Sequence, residues 1–284
     1  MGRKLANDGK YQITQHISRL RLKEIHRKMN DKDFRLKKYR ELCLVLLDSG
    51  YAPLTVYLYL RIERQKNDKL VILRHDIDRR PENALRMAKL EHELGIKSTY
   101  YFRFPYTFKP DIIRKIQALG HEVGYHYEVL SKANGDYEKA IELFEQELSE
   151  FRKIADVKTV GMHGSPLSKY DNRDLWKRYD FKEFGIVGEA YLSIKNVNYF
   201  SDTGRSWNWK NKMRDFMPNN NNNDLIGVNT TDELINFIKS GRVKRLYILA
   251  HPERWASNKS EWIFNYAKDF VFNVGKKGLV MVRG

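Results

Sequence analysis

The stretch 69-KLVILRHDIDRR-80 decides the architecture. Its first half is an apolar run, Leu70 to Leu73, of the kind that forms a strand buried on both faces. Its second half turns polar at once. Two carboxylates, Asp76 and Asp78, stand one residue apart, with His75 beside them and arginines on both flanks. A buried strand ending in two acids that nearly touch poses the question the rest of the chain answers.

Outward from this strand the pattern repeats. PENALRMAKLEHELG, 81–95, opens with a proline suited to a first helical turn, puts Ala84, Met87, Leu90 and Leu94 on one face, and closes at Gly95. KSTYYFRF, 97–104, reads as a second strand, 111–119 as a short helix, and HEVGYHY, 121–127, as a third strand. A helix follows over 136–154, with Tyr137, Ala140, Ile141, Phe144, Leu148 and Phe151 on one stripe, and then the strand TVGMH, 159–163. LYILAHP, 246–252, is a confident final strand, and a helix follows near 261–270. Repeated strand–helix units imply parallel strands and right-handed crossovers. The expected fold is α/β, a distorted (β/α) barrel of about seven parallel strands. It spans 69–284, preceded by a helical lead-in, 35–68, and a basic arm, 1–34. Active sites of such barrels lie at the C-terminal strand ends.

The polar residues collect at those ends. Four of the eight histidines, His75, His126, His163 and His251, fall there, together with Asp76, Asp78 and Glu128. Imidazoles and carboxylates on one face suit a divalent metal, zinc first, with cobalt, nickel or manganese as alternatives. They also supply general acids and bases. Two such close acids are both comfortably ionised only beside a positive charge. One carboxylate holding a metal and the other acting as base satisfies this, and His251 is placed to protonate a leaving amine. Helix capping is the other use of Asp78, which lies three residues before Pro81.

The bulk numbers narrow the setting. With 42% apolar residues in 284, the chain can bury a sizeable core. No run approaches the length of a transmembrane helix, and the start lacks the apolar segment of a secretory signal. The one cysteine, Cys43, suits a reducing compartment, so a cytoplasmic location is expected. Of the net charge of +16, the first forty residues carry +9, from thirteen Lys/Arg against four Asp/Glu. Such an arm is either a solvated tail or an attachment to an anionic membrane surface, here the inner membrane. No nucleic-acid-binding motif accompanies it. The asparagine run 219–223 reads as a surface loop.

RHDID, GHEVGYHYEVLSKANGD, MHGSPLSKYDN, SDTGRSW and HPERW together resemble the polysaccharide deacetylases, the NodB-homology or carbohydrate esterase family 4, over about 69–255. More narrowly they resemble a branch associated with surface polysaccharide and lipopolysaccharide biosynthesis. The resemblance implies metal-dependent removal of an acetyl group from an N-acylated sugar, free, nucleotide-linked or within an oligosaccharide. It makes Asp76 the catalytic base, Asp78 the metal carboxylate, His126 the first histidine of an HxxxH pair, and His251 the catalytic acid. The pattern departs at Leu130, where the second histidine of the pair would stand. His163 is the first substitute and Glu128 the second. The family's base-steadying arginine is missing from its motif, where MHGSP stands, which leaves Arg74, Arg79 or Arg103 for that role. Arg103, Glu128, Arg205, Trp207 and Arg254 are read as substrate contacts. Arg205 and Trp207 suit an anionic sugar. An altered, inactive protein that still binds a sugar is the alternative reading, and Leu130 is the residue that favours it.

Overall fold

The structure is a computed structural model that describes residues 33–63, 68–165, 168–208, 215, 217 and 228–265. Residues 1–32 of the basic arm, the asparagine run and Trp209 lie outside the described residues. Helix α1 (Leu36–Asp48) leads into β1 (Ala52–Leu54), α2 (Val56–Arg61), β2 (Leu70–Ile77), α3 (Pro81–Glu93), β3 (Thr99–Phe102) and α4 (Pro110–Ala118). Then come β4 (Glu122–Tyr127), α5 (Val129–Lys132), α6 (Tyr137–Arg152), β5 (Thr159–Met162), β6 (Gly188–Glu189), β7 (Asn198–Ser201), α7 (Thr231–Lys239) and β8 (Arg245–Ala250). A 3-10 turn, Pro252–Arg254, follows the last strand directly.

Every pairing among these strands is parallel, in the order β6-β5-β4-β3-β2-β8-β7. The lead-in adds a strand that its sequence did not announce. β1 pairs with residues 70–72 of β2, and β3 pairs with 74–77. The two lie end to end along one side of β2, because β8 fills the other side over 70–75. The sheet curls until its ends approach each other. Tyr191, just past β6, has its ring 6.2 Å from Tyr199 in β7, and the Tyr247 hydroxyl of β8 donates to the Ala190 carbonyl at 3.1 Å. Seven parallel strands thus form the distorted (β/α) barrel.

Both faces of the sheet are buried. In β2 all eight residues are buried, and alternation divides them. Leu70 and Ile72 join the cluster that contains Tyr101, Tyr247 and Leu249. Val71 and Leu73 join the layer formed with α1, α3 and α7. Tyr125 and Tyr127 pack into the wall as their alternation with His126 predicts, against Phe144 of α6 at centroid distances of 5.5 and 6.0 Å. Phe34 is buried between Trp207 and Trp255.

Candidate active site

The same alternation sorts the polar end of β2. Asp76 and Asp78 reach one side, and His75 goes to the other. His75 is therefore no part of the cluster of strand-end histidines. Its Nε2 lies 2.8 Å from Glu91 of α3 in the outer layer, where Tyr39, Tyr100 and Ser98 also donate to Glu91. Nor is Asp78 a helix cap. The residue before α3 is Arg80, in a left-handed conformation with φ 52°, and no side chain caps that helix.

The two acids have different partners. Asp76 takes two hydrogen bonds from Arg74, Nε to Oδ1 at 2.7 Å and Nη2 to Oδ2 at 2.8 Å, both side chains being buried. Of the three arginines left open by the sequence, the steadying one is thus Arg74, two residues back on the same strand and face. Its guanidinium lies over the rings of Tyr191 at 4.2 Å and Tyr101 at 5.2 Å. Gly161 makes room for it, since a Cβ there would come within 3.0 Å of Arg74 Nη2.

Asp76 also lies 3.5 Å from His126 Nε2, but Asp78 faces three imidazoles. Its Oδ1 is 3.4 Å from His126 Nε2 and 3.5 Å from His163 Nε2, and its Oδ2 is 4.0 Å from His251 Nε2. Burial resists its ionisation, but the three imidazoles, His163 foremost, hold its carboxyl well below the usual range. Each imidazole is fixed from behind. His126 Nδ1 donates to the Gly161 carbonyl at 2.8 Å, and His163 Nδ1 donates to Glu128 at 2.9 Å. His251 Nδ1 donates to Asp202 at 2.6 Å. With Nδ1 engaged from behind, each ring presents its Nε2 to the Asp78 carboxylate. Oδ1 is buried and has no hydrogen-bond partner among the described residues.

The donor set suits a divalent metal by residue type. Ligands roughly 2.0–2.1 Å from a tetrahedral zinc stand about 3.3–3.4 Å apart, close to the 3.4 and 3.5 Å edges that Asp78 shares with His126 and His163. Histidines backed by a carbonyl and a carboxylate are the usual metal-holding arrangement. Among the described residues, no group of three or more His, Cys, Asp or Glu is placed so that it could hold a metal ion. The observed contacts are pairwise, with Asp78 common to them.

Glu128 supports His163 and does not replace it. Arg103 occupies it from the other side, with Nη2 at 2.7 and 2.9 Å, and these partners bring its carboxyl down to about 2 against the pull of burial. Arg103 also donates to the Asp78 backbone carbonyl at 3.3 Å, so this arginine braces the site. Leu130 is 1% exposed and packed in the core from α5.

The remaining substrate contacts expected from sequence are corrected. Trp207 is 3% exposed, stacked 6.4 Å from Phe34, and its Nε1 donates to Thr231 at 3.0 Å. It is a core residue and offers no face to a sugar. Arg205 donates to the Arg254 carbonyl at 3.2 Å and lies 5.5 Å over Phe34. Arg254 is buried and bonded to Asp202 at 3.2 Å. Of the two residues expected to hold an anionic sugar, Trp207 is buried, whereas Arg205 is partly exposed. Replacing Trp207 with phenylalanine is expected to cost about 1–2 kcal/mol of stability in a denaturant titration. Unchanged stability would return Trp207 to the surface role.

Two residues escaped the sequence reading. Asp202, just past β7, accepts from His251 Nδ1, from the His251 backbone at 3.0 Å and from Trp255 Nε1 at 2.9 Å. Burial opposes its ionisation, yet His251 and Arg254 hold its pKa down. In return, against burial and Arg254, Asp202 raises the pKa of His251. Its signal was a lone acid at a strand end, in a region where periodicity had faded. Glu253, two residues past His251, is the other.

No family model matches the chain, and no curated protein does. Solved structures do. One is the catalytic domain of the peptidoglycan N-acetylglucosamine deacetylase from Eubacterium rectale ATCC 33656, 16% identical, TM-score 0.44, covering 72% of this chain and 86% of that one. Another is a family 4 carbohydrate esterase from Bacillus anthracis, 15% identical, TM-score 0.39, covering 82% and 84%. A third is a CE4 family pseudoenzyme from Bacillus anthracis, 13% identical, TM-score 0.42, covering 77% and 64%. Likeness at this level leaves the chemistry of this chain to its own residues.

Proposed function

We propose that the chain is a hydrolase that removes the acyl group from an N-acylated sugar of a bacterial surface polysaccharide, such as lipopolysaccharide. Asp78, His126 and His163 would hold a divalent ion, zinc by donor type, with cobalt, nickel or manganese fitting the same atoms. When bound, such an ion supplies Lewis acidity toward the acyl carbonyl and acidifies nearby water. The observation that carries the reading is the division of the two acids. Arg74 holds both oxygens of Asp76, which meets a single imidazole, His126 Nε2 at 3.5 Å, whereas Asp78 is approached by three.

The chain's own groups account for the proton traffic. Asp76 takes the proton of the attacking water, its carboxylate held in one orientation by the two bonds from Arg74. His251, its pKa raised by Asp202, carries a proton on Nε2 and gives it to the departing amine nitrogen. The acyl group leaves as a carboxylic acid and the sugar as an amine. Asp202 also fixes which nitrogen of His251 faces the site.

Elemental analysis of the purified protein tests the metal. About one divalent ion per chain is expected, with affinity lowered at least ten- to a hundred-fold in His163→Ala, since losing even an outer partner costs that much. Unchanged stoichiometry and affinity in His163→Ala would remove that histidine from the site. A chain that holds no ion and hydrolyses no N-acetylated sugar would favour the inactive sugar-binding reading, for which Leu130 is the motivating departure.

A further inference from the structure

Glu253 stands out among the buried acids at this end of the barrel. Asp76 has Arg74, Asp202 has His251 and Trp255, and Glu128 has Arg103 and His163. Glu253 is 5% exposed, and neither carboxyl oxygen has a hydrogen-bond partner among the described residues. Arg79 Nη2 is its nearest cation, at 3.6 Å from Oε1, beyond hydrogen-bond reach. A buried carboxyl without donors costs the fold free energy, so such groups are rare unless something outside the fold uses them.

Its surroundings say where it points. Burial first, then the charge of Asp78, pushes its carboxyl up to about 7, with His251, Arg254 and Arg79 opposing. Geometry places it near these groups: Glu253 lies two residues past His251, and its Oε1 is 3.6 Å from Arg79, the residue next to Asp78. The backbone that carries it is rigid. The 3-10 turn starts at His251, the Asn265 side chain donates to the Glu253 carbonyl at 2.8 Å, and the Asn83 side chain donates to the Pro252 carbonyl at 3.4 Å. A fixed, unsatisfied carboxyl beside the proposed acid is a preformed acceptor pair.

We propose that Glu253 is a substrate contact that accepts hydrogen bonds from free hydroxyls of the sugar next to its N-acyl group. The inference rests on the sugar-hydrolase reading above and sharpens it. It assigns Glu253 to a sugar whose hydroxyls beside the N-acyl group are unsubstituted, because a free hydroxyl donates to a carboxylate and an acylated or phosphorylated oxygen does not.

The test compares Glu253→Met, which has no acceptor, and Glu253→Gln, which keeps one. The probes are the N-acetylglucosamine tetramer and 4-nitrophenyl acetate, an ester without hydroxyls. Glu253→Met is expected to lower kcat/KM for the tetramer about ten- to a hundred-fold, chiefly through KM, at least ten-fold more than for the ester. Glu253→Gln should fall between it and wild type. The thermal midpoint of Glu253→Met should not drop, since no bond within the fold is lost. Equal losses on both probes would place Glu253 in the hydrolytic step and overturn the contact, as would a falling midpoint or an undiminished tetramer reaction. Binding of the tetramer to Asp76→Asn protein, with and without Glu253→Met, measures the contact free of turnover, and equal affinities there would likewise overturn it. Wild-type protein that neither binds nor hydrolyses the tetramer would overturn the sugar reading and this contact with it. Wild-type activity unchanged in the variants would overturn the contact alone.

Discussion

Asp76→Asn protein is expected to retain its bound metal while kcat falls roughly a thousand-fold, within the range that removal of a general base produces, and to lose some stability because the buried Arg74 loses its counter-charge. Asparagine keeps the size of aspartate and one oxygen for Arg74, so the strand end stays in place. It loses the capacity to accept a proton from water. Asp78→Ala is expected to do the reverse in order. It removes the one group common to the His126, His163 and His251 contacts, so the ion is lost first and turnover with it. The pair is read by metal analysis alongside single-turnover hydrolysis of an N-acetylated sugar. Asp76→Asn protein with turnover within ten-fold of wild type would end the base assignment. Equal metal loss in both variants would mean that the two acids share one job.

Glu91→Ala is expected to destabilise the protein by roughly 3–5 kcal/mol, without touching the active site. Glu91 is 0% exposed and gathers its partners from three elements and the approach to β3. Tyr39 of α1 donates to it, Tyr100 and Ser98 donate at 2.6 and 2.5 Å, and His75 Nε2 lies at 2.8 Å. Truncation leaves these groups buried without an acceptor. At about 2–4 °C per kcal/mol in a domain of this size, the thermal midpoint should fall by roughly 10 °C. A loss under about 1 kcal/mol would show that the network adds little. The site also predicts acid sensitivity. Burial works against ionisation, but His75 and His121 bring the Glu91 carboxyl down to about 2 from 4.5. The unfolded chain thus takes up this proton more readily than the native one. The stability Glu91 contributes is intact above 4.5 and drains away as pH falls through that window toward 2.

Much of the barrel was legible because its strongest signals are local. β2, β4, β5 and β8 are apolar runs, and α3 and α6 repeat their apolar residues at helical spacing. Those runs also locate Asp76, Asp78, His126, His163 and His251 at strand ends, since that is a matter of counting along the chain. The short strands were not legible. β1 has three residues and β6 two, too few for a period to show, and they are strands because β2 and β5 supply their hydrogen bonds.

The sequence by itself determined the parallel barrel and the two acids and three imidazoles at its C-terminal strand ends, because patterns along the chain are enough to set strands and their ends. Only the tertiary structure decided what each polar residue faces. It turned His75 outward to Glu91, gave Arg74 to Asp76, set Asp202 behind His251 and buried Trp207 under Phe34. The reason is distance along the chain. His75 and Glu91 are 16 residues apart and Asp202 and His251 are 49 apart, so the folding of the sheet makes these pairs and no periodicity encodes them.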